Sequence, residues 1–268
     1  MGLEASSGYQ GEHAPEAIGH YRVIGWLGGG GFGDVYEAHD LERGEVVAVK
    51  VLSSPSPLAD LDFKTEVRLV ADLAHPNLLT PFEMLESDGR LAFAMPRIRG
   101  VDFVSAIRGD ASPEWNAARE ARLISALGQL HSALGALHRR GILHLDIKPS
   151  NVLIDEAGHL FVLDFGMSRH GATARATGMS GTPAYVAPEQ LMGGAASEAC
   201  DWYAVGVMLF EALTGRRPFP DPARTRFFVS TFEDAPSAAS VVDALPEPLV
   251  TLCAALLRRD PTTRAGAD

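Results

Sequence analysis

The octapeptide His144-Leu145-Asp146-Ile147-Lys148-Pro149-Ser150-Asn151 brings an acid, a cation and an amide within six positions. Eighteen residues after Asp146 stands Asp164, at the head of Asp164-Phe165-Gly166. Two carboxylates and an amide at one site suit a hard cation with oxygen ligands, such as Mg2+ holding phosphates. In such a site Asp146 can accept the proton of an incoming hydroxyl while Asn151 and Asp164 hold the metal. Either piece alone can also be read as ordinary turn residues beside short strands. The two together at this spacing do not.

A second group lies near the start. Gly28, Gly30 and Gly33 fall in a G-x-G-x-x-G pattern within the run 28–33. Alone the pattern is weak, because Gly-rich turns are common, and a plain flexible hairpin reads equally well. Val35-Tyr36 starts another strand rather than a helix, which argues for a hairpin lying over phosphates and against a dinucleotide fold. Small residues matter there because a Cβ holds the backbone away from a ligand. Lys50 ends the strand Val47-Ala48-Val49-Lys50, fourteen residues after Tyr36. An isolated strand lysine usually faces solvent. Glu66, which shares its expected helix with Leu69, Val70 and Leu73, offers Lys50 a carboxylate partner. A desolvated Lys–Glu pair is costly, and its presence implies a task such as orienting the lysine toward an anion.

The elements that must position these groups change texture along the chain. Residues 1–19 carry no apolar period and read as a loose tail. Short β-like runs follow at 21–27, 35–40 and 45–52, then a helical pattern at 61–73 and strands at 80–85 and 91–95. Beyond Gly100 helices are expected at 101–107, 115–140, 200–213 and 249–258, with short strands at 152–154 and 160–163. The reading is an α+β fold of two lobes with one cleft: a β-rich lobe with one main helix over 20–97 and a mostly helical lobe over 98–268. The boundary lies near 96–100.

Composition narrows the function classes. The 268 residues are 46% hydrophobic and 21% charged, which suits a globular chain rather than a disordered one. Thirty-four acidic against 23 basic residues give a net charge of −11. General nucleic-acid binding and an anionic membrane surface are both disfavoured, because each needs clustered cations. Cys200 and Cys253 are the only cysteines, so a disulfide scaffold is excluded and a reducing, cytoplasmic setting is expected. The longest apolar stretch, residues 202–210, falls far short of the about 20 residues a membrane helix needs. It reads as a buried core helix.

Taken in order, these motifs resemble a eukaryotic-like (Hanks-type) serine/threonine protein kinase, most closely the type found in bacteria. The resemblance covers residues 20–268. It implies ATP and Mg2+, with Gly28, Gly30 and Gly33 over the phosphates and Leu27, Val35, Ala48 and Leu153 around the adenine. It also implies Lys50 on the α- and β-phosphates, oriented by Glu66, with Asp146 as base and Lys148 on the γ-phosphate. Asn151 and Asp164 would bind Mg2+. Met95 takes the position at the back of the adenine pocket, Pro96 would offer only its carbonyl, Ile98 its N–H, and Asp102 would reach the ribose. Ala187-Pro188-Glu189 resembles the motif closing the activation segment, with Glu189 paired to Arg264. Asp201 and Gly206 resemble the start of the helix that anchors the catalytic loop. Lys148 together with Gly181-Thr182-Pro183-Ala184-Tyr185 follows the Ser/Thr rather than the tyrosine pattern, with Thr182 bridging Asp146 and Lys148.

Two departures matter. Leu145 stands where most regulated kinases carry the arginine that binds an activation-loop phosphate. Activity without phosphorylation of Thr173, Thr177 or Ser180 is therefore expected. Ser150 replaces an acid that helps many relatives recognise basic substrates. The partners implied are protein substrates bearing Ser or Thr. Two other readings stand beside this one: an ATP-binding pseudokinase or scaffold, opposed by the presence of Lys50, Asp146 and Asp164, and a small-molecule kinase, opposed by Thr182 and 187–189. Only four residues follow Arg264, so the family's last helix reads as short or absent, and further domains C-terminal to a catalytic part are expected.

Overall fold

The computed structural model describes residues 15–30, 33–53, 73–109, 115–164, 169–170, 183–219 and 234–266. The chain divides into two compact units, Met1–Leu61 with Pro81–Arg97 and Asp62–Thr80 with Ile98–Asp268. Among the described residues no helix is long and apolar enough to cross a membrane.

The first unit is a six-stranded antiparallel sheet. Its strands are β1 (Ala17–Ile18), β2 (Tyr21–Gly30), β3 (Gly33–Asp40), β4 (Val46–Leu52), β5 (Glu83–Ser87) and β6 (Arg90–Pro96). They lie in the order β1-β2-β3-β4-β6-β5. The pleat sorts β3 and β4 by face. Tyr36, Ala38, Val47, Val49 and Val51 join Ile18, Tyr21, Ala92 and Ala94 in one apolar cluster. The β3–β4 turn is tied by Asp40, whose Oδ1 accepts the N–H groups of Glu42 (2.9 Å) and Arg43 (3.0 Å). Gly33 has φ 140°, and a Cβ there would overlap the Val51 carbonyl, so β3 can begin so close to β4 only with glycine.

The sequence placed the loose tail up to residue 19, but Ala17–Ile18 pairs with Arg22 and Tyr21, and Ile18 is 2% exposed. Gly19, at φ 58°, turns the chain back so that Ile18 can join the cluster. The strand expected at 80–85 runs instead over Glu83–Ser87. Residues 73–80, drawn with the first lobe, belong to the second unit. Asn77 Nδ2 donates to Leu160 O (2.8 Å) and Gln129 Oε1 (2.9 Å), and the Leu79 N–H bonds Val162 O (3.0 Å). The helix expected over 61–73 lies outside the described residues except at its last position.

The second unit is built on helices. Among the described residues these are α1 (Phe103–Arg108), α2 (Ala117–His138), the short α3 (Pro188–Leu191), α4 (Glu198–Thr214) and α5 (Glu247–Leu256). Fourteen of the seventeen residues of α4 are buried, so this helix is core on every side rather than amphipathic. Gly206 allows α5 its approach, since a Cβ there would sit 2.9 Å from that of Leu256. In α2, Leu123, Ala126, Leu130, Leu134 and Leu137 form the buried stripe, and Asn116 caps the start by accepting the Arg119 N–H at 2.9 Å.

Strand β7 (Gly100–Asp102) pairs with β9 (Val152–Asp155), which pairs with β10 (Leu160–Val162). The expected helix over 101–107 therefore begins only at Phe103. The Asp102 carboxylate accepts the Ser105 N–H at 3.0 Å and caps α1 there, which leaves Gly100–Asp102 to the sheet. A further pair joins β8 (Ile142–Leu143) to β11 (Arg169–His170).

Candidate active site

In the first unit, strand register decides which side chains share a face. Val35 is paired with Lys50 and Lys50 with Phe93, while Ala48 is paired with Met95 one row away. Directly opposed residues and i, i+2 neighbours lie on the same face. Val35, Ala48, Lys50 and Met95 are thus on one face, opposite the Tyr36–Val49 cluster. Gly28, opposed to Val35, continues the row into the Gly-rich hairpin. Lys50 is only 3% exposed, with Nζ 6.0 Å from the Phe93 ring centroid, and so is no solvent-facing strand lysine. Leu27 is exposed and lies in the β2 irregularity between Trp26 and Gly28. Arg97 Nε donates to Glu37 Oε1 at 3.1 Å, tying the end of β6 to β3. Glu66 and residues 31–32 lie outside the described residues.

In the second unit the loop 144–151 runs between β8 and β9 and is held by side chains. The Asp201 carboxylate, fully buried at the start of α4, accepts the Leu145 N–H at Oδ1 (2.7 Å) and the His144 N–H at Oδ2 (2.9 Å). His138 Nε2 approaches the same Oδ2 at 2.8 Å. The His144 ring donates from Nε2 to Leu163 O (2.9 Å) and accepts the Asp146 N–H at Nδ1 (3.3 Å), roles that together require the hydrogen on Nε2. Leu145 is thereby held at φ 62°, a left-handed conformation that leucine rarely adopts.

Within that frame Asp146 is buried, and its Oδ2 accepts Lys148 Nζ (2.8 Å) and Asn151 Nδ2 (2.9 Å). Asn151 Nδ2 also donates to the Asp146 carbonyl at 2.9 Å, so both amide hydrogens are spent on one residue. With Nδ2 so committed, the other side-chain atom of Asn151 able to bond is its amide oxygen, the donor type a hard cation prefers. The Leu163 N–H bonds Asn151 O at 2.8 Å, and Asp164 follows at φ 64°. Two left-handed non-glycine residues therefore adjoin or carry the two candidate carboxylates. Leu153 opposes Asp102 across β7 and β9, and Asp102 also accepts Ser105 Oγ at 2.5 Å. Phe165, Gly166, Thr173, Thr177, Ser180 and Thr182 lie outside the described residues.

A protein kinase domain model matches residues 21–268. This chain belongs to the protein kinase domain family. The kinase domain is 30% identical over 256 residues to the serine/threonine-protein kinase PrkC of Bacillus subtilis, covering 92% of this chain and 38% of that protein. It is 32% identical over 263 residues to the DNA damage-responsive serine/threonine-protein kinase RqkA of Deinococcus radiodurans (93% and 38%). It is 35% identical over 257 residues to the protein kinase C eta type of Mus musculus (93% and 36%). The chain thus spans well under half the length of these curated relatives.

The kinase domain's motif at 187–189 is fixed as the resemblance implies. Arg264 donates to both carboxylate oxygens of Glu189, at 2.7 and 3.1 Å, and from Nη1 to Ala199 O at 2.6 Å. Its side chain is wholly buried with the pair satisfied, the condition under which a buried ion pair is tolerated. Cys200 lies alongside, Sγ 3.4 Å from Glu189 Oε1, and burial pushes its thiol up to about 12. Sequence reasoning missed the bond from Tyr185 OH to Glu211 Oε2 (2.6 Å); burial, and then this bond, raise the phenol's pKa. It also missed His138 as a partner of Asp201. A buried histidine has no distinguishing local pattern, and only the approach of α2 to α4 identifies it.

Proposed function

We propose that this chain transfers the γ-phosphoryl group of ATP to Ser or Thr hydroxyls of protein substrates, with Mg2+ as cofactor. The observation that carries the reading is the Asp146 carboxylate. It is buried and held by Lys148 and Asn151, in a loop whose preceding two amides hang on Asp201. A group so fixed needs little reorganisation when charge moves.

In this reading the substrate hydroxyl oxygen bonds to the γ-phosphorus as the bond to the β,γ-bridging oxygen breaks, and ADP leaves. The hydroxyl proton passes to the Asp146 carboxylate. Lys148 neutralises charge on the transferred group, and Lys50, oriented by Glu66, holds the α- and β-phosphates. Gly28, Gly30 and Gly33 let the hairpin backbone lie over the phosphates. Leu27, Val35, Ala48, Met95 and Leu153 enclose the adenine, which bonds the Pro96 carbonyl and the Ile98 N–H, while Asp102 meets the ribose. Mg2+, held by oxygens of Asn151 and Asp164, would offset the phosphates' negative charge.

The finer part of the proposal is that activity does not wait on activation-loop phosphorylation. Leu145 packs its side chain against the apolar core of the second unit, and an alkyl group offers a phosphate nothing to bind. Ser150 is exposed and uncharged, so a basic substrate preference has no support at that position. A cytoplasmic setting fits the two buried free thiols.

The test is transfer of labelled phosphate from ATP with Mg2+, to the chain itself and to a generic protein substrate. A Thr173→Ala, Thr177→Ala, Ser180→Ala variant is run in parallel. Comparable rates in both are expected. A folded triple variant without activity would refute phosphorylation independence, and absence of ATP binding in the parent chain would refute the kinase reading.

A further inference from the structure

Three residues of the Gly-rich hairpin fall outside the G-x-G-x-x-G pattern yet fit one another. Trp26 is 45% exposed, and its Nε1 donates to Asp34 Oδ1 at 3.3 Å. Asp34 is opposed to Gly29 across β2 and β3, and Trp26 to Tyr36. Strand alternation places Trp26, Asp34 and Tyr36 on one face and Val35 on the other with Lys50. The carboxylate lies over Gly29. A Cβ there would overlap Asp34 Oδ1 and come within 3.3 Å of its Cγ and 3.5 Å of Trp26 Cζ2. The G-x-G-x-x-G pattern leaves position 29 open, and in this geometry a side chain there would push the Asp34 carboxylate aside.

We propose that Trp26, Gly29 and Asp34 form a clasp that fixes the base of the hairpin. Trp26 and Asp34 are then positioning residues for nucleotide binding, acting through the glycine backbone. The inference rests on the kinase reading, in which that backbone covers the phosphates. One physical effect supports it. A glycine-rich segment loses more conformational freedom on ordering than any other, so a side-chain tie across it lowers the cost of closing over a ligand.

The test compares MgATP dissociation constants and kcat for the parent chain, W26F, D34A, D34N, G29A and the W26F/D34A double variant. Loss of one exposed hydrogen bond and its ordering should weaken MgATP binding by about three- to tenfold in W26F and D34A. In both, kcat should stay within about twofold of the parent. The double variant should be no weaker than either single, the non-additivity expected of one shared contact. Asp34→Asn keeps the acceptor and should bind MgATP as the parent does, whereas Gly29→Ala should behave like Asp34→Ala because its methyl displaces the carboxylate. Trp26 emission, read as the difference from W26F, should shift in D34A and G29A but not in D34N, with or without nucleotide. Parent-like binding in W26F and D34A, additivity in the double variant, or an Asp34→Asn as weak as Asp34→Ala would overturn the clasp while leaving the kinase reading intact. A parent chain that binds no MgATP would instead sink the kinase reading, and the positioning role with it.

Discussion

The two units hold their candidate residues by different means. In the first, register does the positioning: Val35, Lys50, Ala48 and Met95 share a face because β3, β4 and β6 pair as they do. In the second, side chains do it: Asp201, His138, His144 and Asn151 fix a loop with almost no ladder of its own. A backbone ladder is redundant, since neighbouring hydrogen bonds survive the loss of one side chain. A buried polar network is not, because each member removed leaves a partner unsatisfied. Substitutions of equal size should therefore cost far more in the loop than in the sheet.

Among the residues that frame the reacting groups, the largest effect is expected at Asp201. Asp201→Asn keeps the shape but sets an N–H2 group against N–H donors and removes the charge that holds Leu145 left-handed. Phosphoryl transfer should fall by about 100-fold or more, with a lower Tm, the scale of breaking a buried charged network. Near-normal kcat in a folded variant would show that the loop keeps its shape without Asp201. An intermediate effect is expected in the sheet at Gly33→Ala, where the new Cβ meets the Val51 carbonyl. A local strain of about 1–3 kcal/mol should appear as weaker nucleotide binding and modest destabilisation in urea titrations. A loss as deep as that of Asp201→Asn would erase the contrast between the units.

The smallest effect concerns pH. Burial, and then the Arg139 cation, hold the His75 imidazole below its ordinary 6.5. The folded chain thus binds fewer protons there than the unfolded chain. Stability from this site is complete above about 6.5 and is lost as pH falls from there toward the depressed value. His75→Gln should flatten stability against pH between about 7 and 5. An unchanged slope would place the acid sensitivity elsewhere.

What could be read from the chain alone follows the same division. Helix α4 was legible because an apolar run with no polar stripe can only be core. The start of β7 was not, since its partner β9 lies far along the chain and periodicity reports only neighbours. The short β1 was hidden for a related reason: two residues give no pattern, and only the Gly19 turn makes them a strand. At the candidate site, the residue types of 144–151 and Asp164 already suggested oxygen-ligand and proton chemistry. The tethering of His144 and Leu145 to Asp201 entered only through family resemblance, and no spacing in the sequence links the Trp26 indole to Asp34.

The most direct measurement pairs Asp146→Asn with Lys50→Met, following phosphoryl transfer and MgATP binding together. The account predicts that Asp146→Asn loses transfer by several orders of magnitude, about 10^3-fold or more, while binding MgATP nearly as the parent does. Lys50→Met should mainly weaken phosphate placement. Robust transfer by Asp146→Asn, or loss of nucleotide binding in Asp146→Asn with Lys50→Met unaffected, would contradict the assignment of base and phosphate-holding roles to the two units.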